Sequence, residues 1–289
     1  MRQDVEFVSE GVLLRGWLLL PEGAGPHPGV VVTGGFGGVK EVFLAHDYPQ
    51  VFCDAGLAVL VYDHINCGAS EGLPRRELDP IKQQRGYKDA ITFLAAHPGV
   101  DAERIGIWGT SYSGGHVLAV GAADRRVRCV VSQAMTISGR DNTIARNTPA
   151  QVVDLHRRLA EDRLGQARGE PPVVVQAFAD DSDTVAYMTK LPEEHRGPWR
   201  NEITLRSWEH YAEYEPAAFI ERISPRPLLM IVPTGDTMTP ASDALAAYER
   251  ALEPKRLVTV PGDHYAVYEE QFEVTSTAAR DWFLEHLGS

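Results

Sequence analysis

The chain has 289 residues, 44% of them hydrophobic and 24% charged, which is the composition of a globular protein able to bury a large core. Its formal charge of −12 repels phosphate backbones, and no cluster of Lys and Arg overrides that repulsion, so we expect no nucleic-acid partner. No apolar run is long enough to span a bilayer and no amino-terminal leader pattern is present, so we expect no membrane partner and a cytoplasmic location.

The first predicted elements lie within residues 5–21, where VEFVS and VLLRGWLLLP are separated by Glu10-Gly11. This pattern predicts a hairpin that forms an antiparallel edge. GVVVTGG follows as a continuous apolar run ended by glycines, typical of a strand buried on both faces. The same pattern recurs in LAVLVYD (57–63), RIGIWGTS (104–111), VRCVVSQ (127–133), PLLMIVP (227–233) and RLVTVP (256–261).

Helical patterns alternate with these strands. Tyr87, Ile91 and Leu94 share one helical face, and Thr275, Ala279, Trp282 and His286 recur at helical spacing near the end of the chain. The predicted fold class is therefore α/β, with a mostly parallel central sheet flanked by helices.

The alternation of strand and helix breaks between about residues 134 and 226. We predict a core of 1–133 and 227–289 with a helical cap insertion at 134–226. EPPVVVQ is the only apolar run of the insertion that resembles a strand, and it is too short to show whether it forms one. Four aromatic residues of the insertion are expected either to line a pocket as a set or to pack the cap onto the sheet; they are Trp199, Trp208, Tyr211 and Tyr214.

The segment Gly109-Thr110-Ser111-Tyr112-Ser113 lies between a predicted buried strand and a predicted helix. A serine hydroxyl becomes a useful nucleophile when a tight turn projects it toward a base, and small neighbours such as Gly109 and Ser113 permit that turn. We therefore predict that Ser111 is a catalytic nucleophile.

The catalytic acid and base should follow later strands in chain order. Asp236 follows PLLMIVP as the acid and His264 follows RLVTVP as the base. Asp141 and Asp263 are the rival acids, although Asp263 fits a turn residue better, and His116 is the rival base, for which a structural role is favoured.

Acyl transfer also needs donors for a developing oxyanion, and the backbone N–H groups of Phe36 and Tyr112 are the predicted pair. The glycine-rich GGFGG (34–38) lacks the GK[ST] ending of a phosphate-binding loop. Asp63-His64 is predicted to form a turn that the Asp carboxylate stabilises.

Cys53, Cys67 and Cys129 are widely spaced and no HExxH is present, so the sequence indicates no disulfide, no metal and no cofactor.

VDAERIGIWGTSYSGGH, GGFGGVKE, VYDHINCGASEG, GDTMTP and GDHY together resemble the α/β-hydrolase superfamily, and within it dienelactone-hydrolase-like esterases and polyketide-transferase-like hydrolases. The resemblance implies the same triad, Ser111, His264 and Asp236, and the same oxyanion donors. The sequence departs from the usual pattern with Gly34-Gly35 where many members have His-Gly, and with Ser113 where the elbow usually has glycine. Dienelactone hydrolases proper use a cysteine nucleophile, so Ser111 argues against that activity.

These patterns predict a serine hydrolase that cleaves a carboxylic ester of a small-molecule acyl substrate. An acyltransferase or thioesterase that releases a polyketide-like or fatty acyl chain is the alternative within the same chemistry. A non-catalytic ligand-binding protein on the same fold is the alternative from another class, although serine and histidine are both present. A homodimer stays open as an alternative to a monomer.

Overall fold

The structure, a computed structural model, describes residues 2–288. Its strands, numbered in chain order, are β1 (Arg2–Ser9), β2 (Val12–Leu19), β3 (His27–Thr33), β4 (Ala58–Tyr62), β5 (Val100–Thr110), β6 (Val127–Gln133), β7 (Val174–Gln176), β8 (Glu202–Thr204), β9 (Leu228–Pro233) and β10 (Lys255–Val260). Its α-helices are α1 (Tyr48–Asp54), α2 (Pro80–Ala95), α3 (Tyr112–Ala123), α4 (Gly139–Arg146), α5 (Pro149–Ala167), α6 (Asp183–Lys190), α7 (Glu193–Arg196), α8 (Arg206–Ala212), α9 (Ala241–Arg250) and α10 (Phe272–Leu287).

Eight strands form one twisted sheet in the order β1-β2-β4-β3-β5-β6-β9-β10. β1 pairs antiparallel with β2 and β2 antiparallel with β4, whereas every later pair is parallel. Glu10 and Gly11 connect the first two strands with φ values of 49° and 80°, the left-handed pair that a tight hairpin turn needs. The predicted antiparallel edge and the predicted mostly parallel sheet are both confirmed.

Helices cover both faces of the sheet. On one face α2, α3 and α9 bury side chains against the strands, among them Tyr87, Ile91 and Leu94, which are fully buried as predicted. On the other face α1 and α10 pack together, with Trp282 and Phe283 in their shared core. The strands in the middle of the sheet, such as β4 and β9, are consequently buried along their whole length, which is why their sequences show continuous apolar runs.

Residues 134–226 connect β6 to β9 and are mostly helical. β7, within EPPVVVQ, pairs antiparallel with β8 in a small separate sheet. The final stretch, a 3₁₀ helix at Pro216–Ile223, packs onto α3 and contributes Ile220 to the main core. The predicted domain boundaries at 134 and 226 stay a prediction.

Phe283 provides a test of how α10 is held. Its ring is buried and lies 5.4 Å from that of Phe52. It also packs directly against Gly106 of β5, where a Cβ would lie 2.7 Å from the ring. We expect Phe283→Ala to lower the free energy of unfolding by about 3–5 kcal/mol, because a large cavity forms in a packed core. Phe219→Ala removes a ring that is 41% exposed and should change the free energy of unfolding by less than about 1 kcal/mol in the same denaturation experiment. Equal losses in the two variants would contradict this packing.

Candidate active site

Ser111 occupies a sharp turn between β5 and α3. Its φ of 57° and ψ of −119° lie in a region that non-glycine residues rarely adopt, so the backbone there is strained. Hydrogen bonds to the end of β6 and to the segment after it hold this turn: the Ser111 N–H donates to the Gln133 carbonyl at 2.9 Å, and the Thr136 N–H donates to the Ser111 carbonyl at 3.0 Å. A Cβ on Gly109 would lie 2.2 Å from the Ser113 carbonyl oxygen, so this turn requires glycine before the serine.

The structure brings together the three residues predicted to form the triad. Asp236 follows β9 and His264 follows β10, and both side chains are buried at the same edge of the sheet as Ser111. His264 Nε2 lies 3.0 Å from Ser111 Oγ, and His264 Nδ1 lies 2.7 Å from Asp236 Oδ2. This arrangement can transfer a proton from the hydroxyl to the imidazole while the carboxylate orients the ring.

The Asp236 carboxylate is surrounded by donors from its own turn. Oδ1 accepts the N–H groups of Met238 at 2.8 Å and Thr239 at 2.9 Å. The Thr239 hydroxyl lies 2.8 Å from Oδ2 and 2.9 Å from the Ala134 carbonyl oxygen, so its proton is shared between two acceptors. Burial raises the pKa of the Asp236 carboxyl, but the His264 ring and the Thr239 donors outweigh it and leave the pKa below its ordinary value. The carboxyl is therefore ionised at neutral pH.

The predicted oxyanion donors lie beside Ser111. Tyr112 is the first residue of α3, where a backbone N–H has no partner within the helix. The Phe36 N–H makes no hydrogen bond within residues 2–288. Gly35, just before Phe36, approaches the serine so closely that a Cβ there would lie 2.9 Å from Ser111 Cβ. The loop can therefore place its amides against the nucleophile only because residue 35 is glycine.

An ion pair fixes the far end of this loop. Asp63, at the end of β4, accepts the Lys40 N–H at 2.7 Å and the Lys40 ammonium at 3.0 Å, and both side chains are buried. Burial lowers the pKa of Lys40, but Asp63 and Glu41 outweigh it and the pKa is raised, so the ammonium stays charged. Asp63 also accepts the Ala69 N–H at 2.8 Å, as the predicted turn requires.

The rival residues lie elsewhere. His116 is buried below the elbow, with its ring nitrogens 2.7 Å from the Tyr214 hydroxyl and 2.8 Å from Gln83 Oε1. Asp141 and Asp263 are both exposed, and Asp263 accepts the N–H of Tyr265 as a turn residue would.

Sequence reasoning missed Thr239, the Lys40 pair of Asp63, and the role of Ser113. The spacing of Asp236 and Thr239 in GDTMTP is the kind of turn signal that could have found Thr239. The Ser113 hydroxyl lies 3.0 Å from His64 Nε2. The serine that replaces the usual glycine of the elbow therefore makes a buried hydrogen bond, which no local sequence pattern indicates.

A pocket opens in front of Ser111 and its wall is mainly aromatic. Trp199, Trp208 and Tyr211 of the segment 134–226 line it, whereas Tyr214 does not and instead packs beside His116. The aromatic lining residues are Phe36, Phe43, Tyr112, Phe178, Tyr187, Trp199, Trp208, Tyr211, Tyr265 and Tyr268. Arg146 also lines the pocket, and none of the lining residues among 2–288 is Asp or Glu.

Within the described chain, no group of three or more His, Cys, Asp and Glu residues is arranged to hold a metal ion. None of the helices formed by residues 2–288 has both the length and the apolar character that a bilayer crossing demands. Cys53, Cys67 and Cys129 are all free and buried.

Known proteins match nearly the whole chain. The family model described as X-Pro dipeptidyl-peptidase (S15 family) matches residues 10–266. A thiohydrolase of Eupenicillium brefeldianum is 32% identical over 88% of this chain and 84% of its own, and the polyketide transferase claH of Penicillium crustosum is 30% identical over 99% and 98%. The crystal structure of the α/β hydrolase GrgF from Penicillium sp. sh18 superposes with a TM-score of 0.87 at 27% identity, covering 100% of both chains. The resemblance found in the sequence is confirmed.

Thr239 provides a test of the Asp236 environment. We expect Thr239→Val to lower the free energy of unfolding at neutral pH by about 1–3 kcal/mol, because buried acceptors lose their donor. A lowered folded-state pKa stabilises the protein above the ordinary Asp pKa, and this stability is lost as the pH falls through the folded-state value. The difference in free energy of unfolding between the wild-type protein and Thr239→Val should therefore become smaller below about pH 4.

Thr237→Val is the matched control, because Thr237 is exposed on the same loop and should tolerate the change. Denaturant unfolding at several pH values measures both variants. A Thr239→Val protein as stable as Thr237→Val at neutral pH would contradict the role given to the hydroxyl.

Proposed function

The chain belongs to the X-Pro dipeptidyl-peptidase (S15) family of α/β-hydrolases, and on that premise we propose that it is a serine hydrolase that cleaves a carboxylic ester or thioester through an acyl-enzyme on Ser111. The observation that carries this proposal is the unbroken hydrogen-bonded chain from Ser111 through His264 to Asp236. A protein that only bound ligands on this fold would not need to keep that chain complete.

In the proposed reaction Ser111 Oγ attacks the acyl carbonyl carbon while His264 Nε2 accepts the hydroxyl proton. The negative charge that develops on the carbonyl oxygen is stabilised by the N–H groups of Phe36 and Tyr112, and Asp236 stabilises the imidazolium. Collapse of the tetrahedral intermediate breaks the bond to the leaving group, which takes the proton from His264. Water, activated by the same histidine, then hydrolyses the acyl-enzyme and regenerates Ser111.

The pocket lining favours a neutral acyl group over a peptide. A dipeptidyl-peptidase must hold the charged amino terminus of its substrate, and a buried ammonium needs a carboxylate partner. The described residues that line the pocket around Ser111 include Arg146 but no carboxylate, and Asp154, Asp181 and Asp183 line an adjoining cleft that does not include Ser111. We therefore propose acyl transfer chemistry on a non-peptide substrate, although the family's description names a peptidase.

The relatives favour a thioester among the acyl donors. The names thiohydrolase and polyketide transferase belong to proteins that are 30–34% identical to this chain. A thiolate is a better leaving group than an alkoxide, so a thioester depends less on protonation by His264. Transfer of the acyl group to an acceptor other than water is the second candidate, because the same acyl-enzyme serves both outcomes.

Paired substrates test the chemistry. We expect Ser111→Ala to lower kcat/KM by about 10⁴-fold or more for an acyl thioester and for the oxygen ester of the same acyl group, because both need the nucleophile. His264→Ala should be comparably damaging for the ester and milder for the thioester, and the double variant should lose little more than Ser111→Ala. Steady-state kinetics with both substrates measure these ratios.

Ser242→Ala changes an exposed serine of α9 and should keep wild-type rates. Turnover that survives in Ser111→Ala at the Ser242→Ala level would contradict the proposal.

Two adjacent glycines test the oxyanion loop. A Cβ on Gly35 would lie 3.2 Å from Ser111 Oγ and 2.9 Å from its Cβ, whereas a Cβ on Gly34 would meet only the Phe43 ring at 3.8 Å. We expect Gly35→Ala to lower kcat by about 10-fold or more, because the loop or the serine must shift and the oxyanion donors move with it. Gly34→Ala should retain kcat within about 3-fold of the wild-type value. Equal kcat values for the two variants, measured on folded protein, would argue against the placement of the loop.

A further inference from the structure

Two polar side chains of the pocket have unused hydrogen-bonding capacity. His46 and Tyr187 are 4% and 6% exposed, and both line the pocket together with Ser111. Within residues 2–288, neither the Tyr187 hydroxyl nor the His46 ring is hydrogen-bonded to another residue, although the His46 ring interacts with its own backbone. Nδ1 of His46 is fully enclosed by protein, which leaves Nε2 as the nitrogen that can face the pocket.

Both groups are fixed close to the triad. The His46 ring lies 4.6 Å from the ring of Tyr268, whose hydroxyl is hydrogen-bonded to Thr110, the residue before Ser111. The Tyr187 ring stacks on that of Tyr265 at 4.6 Å, and Tyr265 directly follows His264. These contacts hold the imidazole and the phenol in the same pocket as Ser111.

The facing wall has a different character. The Phe36 ring stacks on Trp208 at 5.2 Å and meets Phe178 edge-on at 6.1 Å, while the Tyr211 hydroxyl is already satisfied by the Asn142 amide at 2.9 Å. The rings around Phe36 thus form an apolar part of the lining, whereas His46 and Tyr187 contribute two polar groups without a partner from another residue. A ligand that covers such groups without hydrogen-bonding to them leaves them unsatisfied, which is unfavourable.

Resting on the proposed function, we infer that the acyl group of the substrate carries a hydroxyl remote from the scissile carbonyl, and that His46 and Tyr187 bind this hydroxyl. A hydroxyl both donates and accepts, so it can pair with either tautomer of the imidazole and with the phenol. Burial lowers the pKa of His46 to about 3, so the ring is neutral near neutral pH and suits a hydroxyl rather than a carboxylate. The aromatic wall suits a flat or unsaturated acyl chain.

The kinetic test compares p-nitrophenyl esters of phenylpropanoic acid with those of its meta- and para-hydroxyphenyl counterparts. We expect the wild-type protein to favour a hydroxylated ester in kcat/KM by about 10-fold or more, because unpaired pocket groups reject the analogue that lacks the hydroxyl. His46→Phe and Tyr187→Phe should each bring that ratio close to unity. Tyr248→Phe is the matched control, since Tyr248 belongs to α9 and does not line the pocket, and it should leave the ratio unchanged.

Two further variants separate a binding role of His46 from a packing role. His46→Gln places an amide near the position of Nε2 and should retain part of the preference, whereas His46→Asn reaches only the position of Nδ1 and should not. Melting temperatures identify the variants that remain folded. A wild-type ratio near unity for both hydroxylated esters, or a preference that persists in folded His46→Phe and Tyr187→Phe, would overturn the inference.

Calorimetric binding to the Ser111→Ala protein separates this inference from the proposed reaction. The primary amides of the same three acids are neutral and need no turnover, and we expect a hydroxylated amide to bind about 10-fold or more tightly than the parent. If esters are not hydrolysed but this preference is present and is lost in Ser111→Ala/Tyr187→Phe, the reaction is wrong and the hydroxyl site stands. If esters are hydrolysed without preference and the amides bind equally, the hydroxyl site is wrong.

Discussion

The strained backbone at Ser111 is the constraint on which the rest of the site depends. A residue with φ near +57° is unfavourable by about 1–3 kcal/mol, so the surrounding structure must hold it. Gln133 at the end of β6 accepts the Ser111 N–H, Thr136 just after β6 donates to the Ser111 carbonyl, and Gly109 leaves the space that the turn needs. The apolar parallel sheet thus supports a local conformation that puts a hydroxyl at the floor of the pocket.

The parallel arrangement then decides where the partners of Ser111 can come from. β9 and β10 end at the same edge as β5, so the turns that follow them bring Asp236 and His264 to the serine over separations of more than a hundred residues. The loop after β3 reaches the same edge and is secured to β4 by Lys40 and Asp63. Each component of the site is short in sequence, and the segment 134–226 contributes about half of the aromatic residues that line the pocket.

Local patterns predicted much of this architecture for identifiable reasons. Parallel strands buried on both faces appear as continuous apolar runs, and Glu10-Gly11 has the residue types of a tight turn, so the sheet and its antiparallel edge followed from the sequence. Ser111, Asp236 and His264 could be selected because each follows such a run directly.

What could not be predicted depends on contacts between distant segments. Lys40 meets Asp63 only because the loops after β3 and β4 are neighbours, and Ser113 meets His64 only below the elbow. His46 gave no pattern of its own, and its position in the pocket comes from rings contributed by residues more than a hundred positions away. The segment 134–226 lacked any periodicity that would indicate which aromatic residues turn toward the pocket, and Tyr214 proved to face His116 instead.

The proposed reaction depends on Ser111 being a nucleophile that His264 activates. The most direct measurement is to treat the folded protein with a fluorophosphonate, which phosphonylates activated serines, and to locate the adduct by peptide mass spectrometry. We expect one stoichiometric adduct on Ser111 in the wild-type protein and a greatly slowed reaction in His264→Ala. An adduct on any other residue, or no adduct on a protein whose melting curve shows it to be folded, would contradict it.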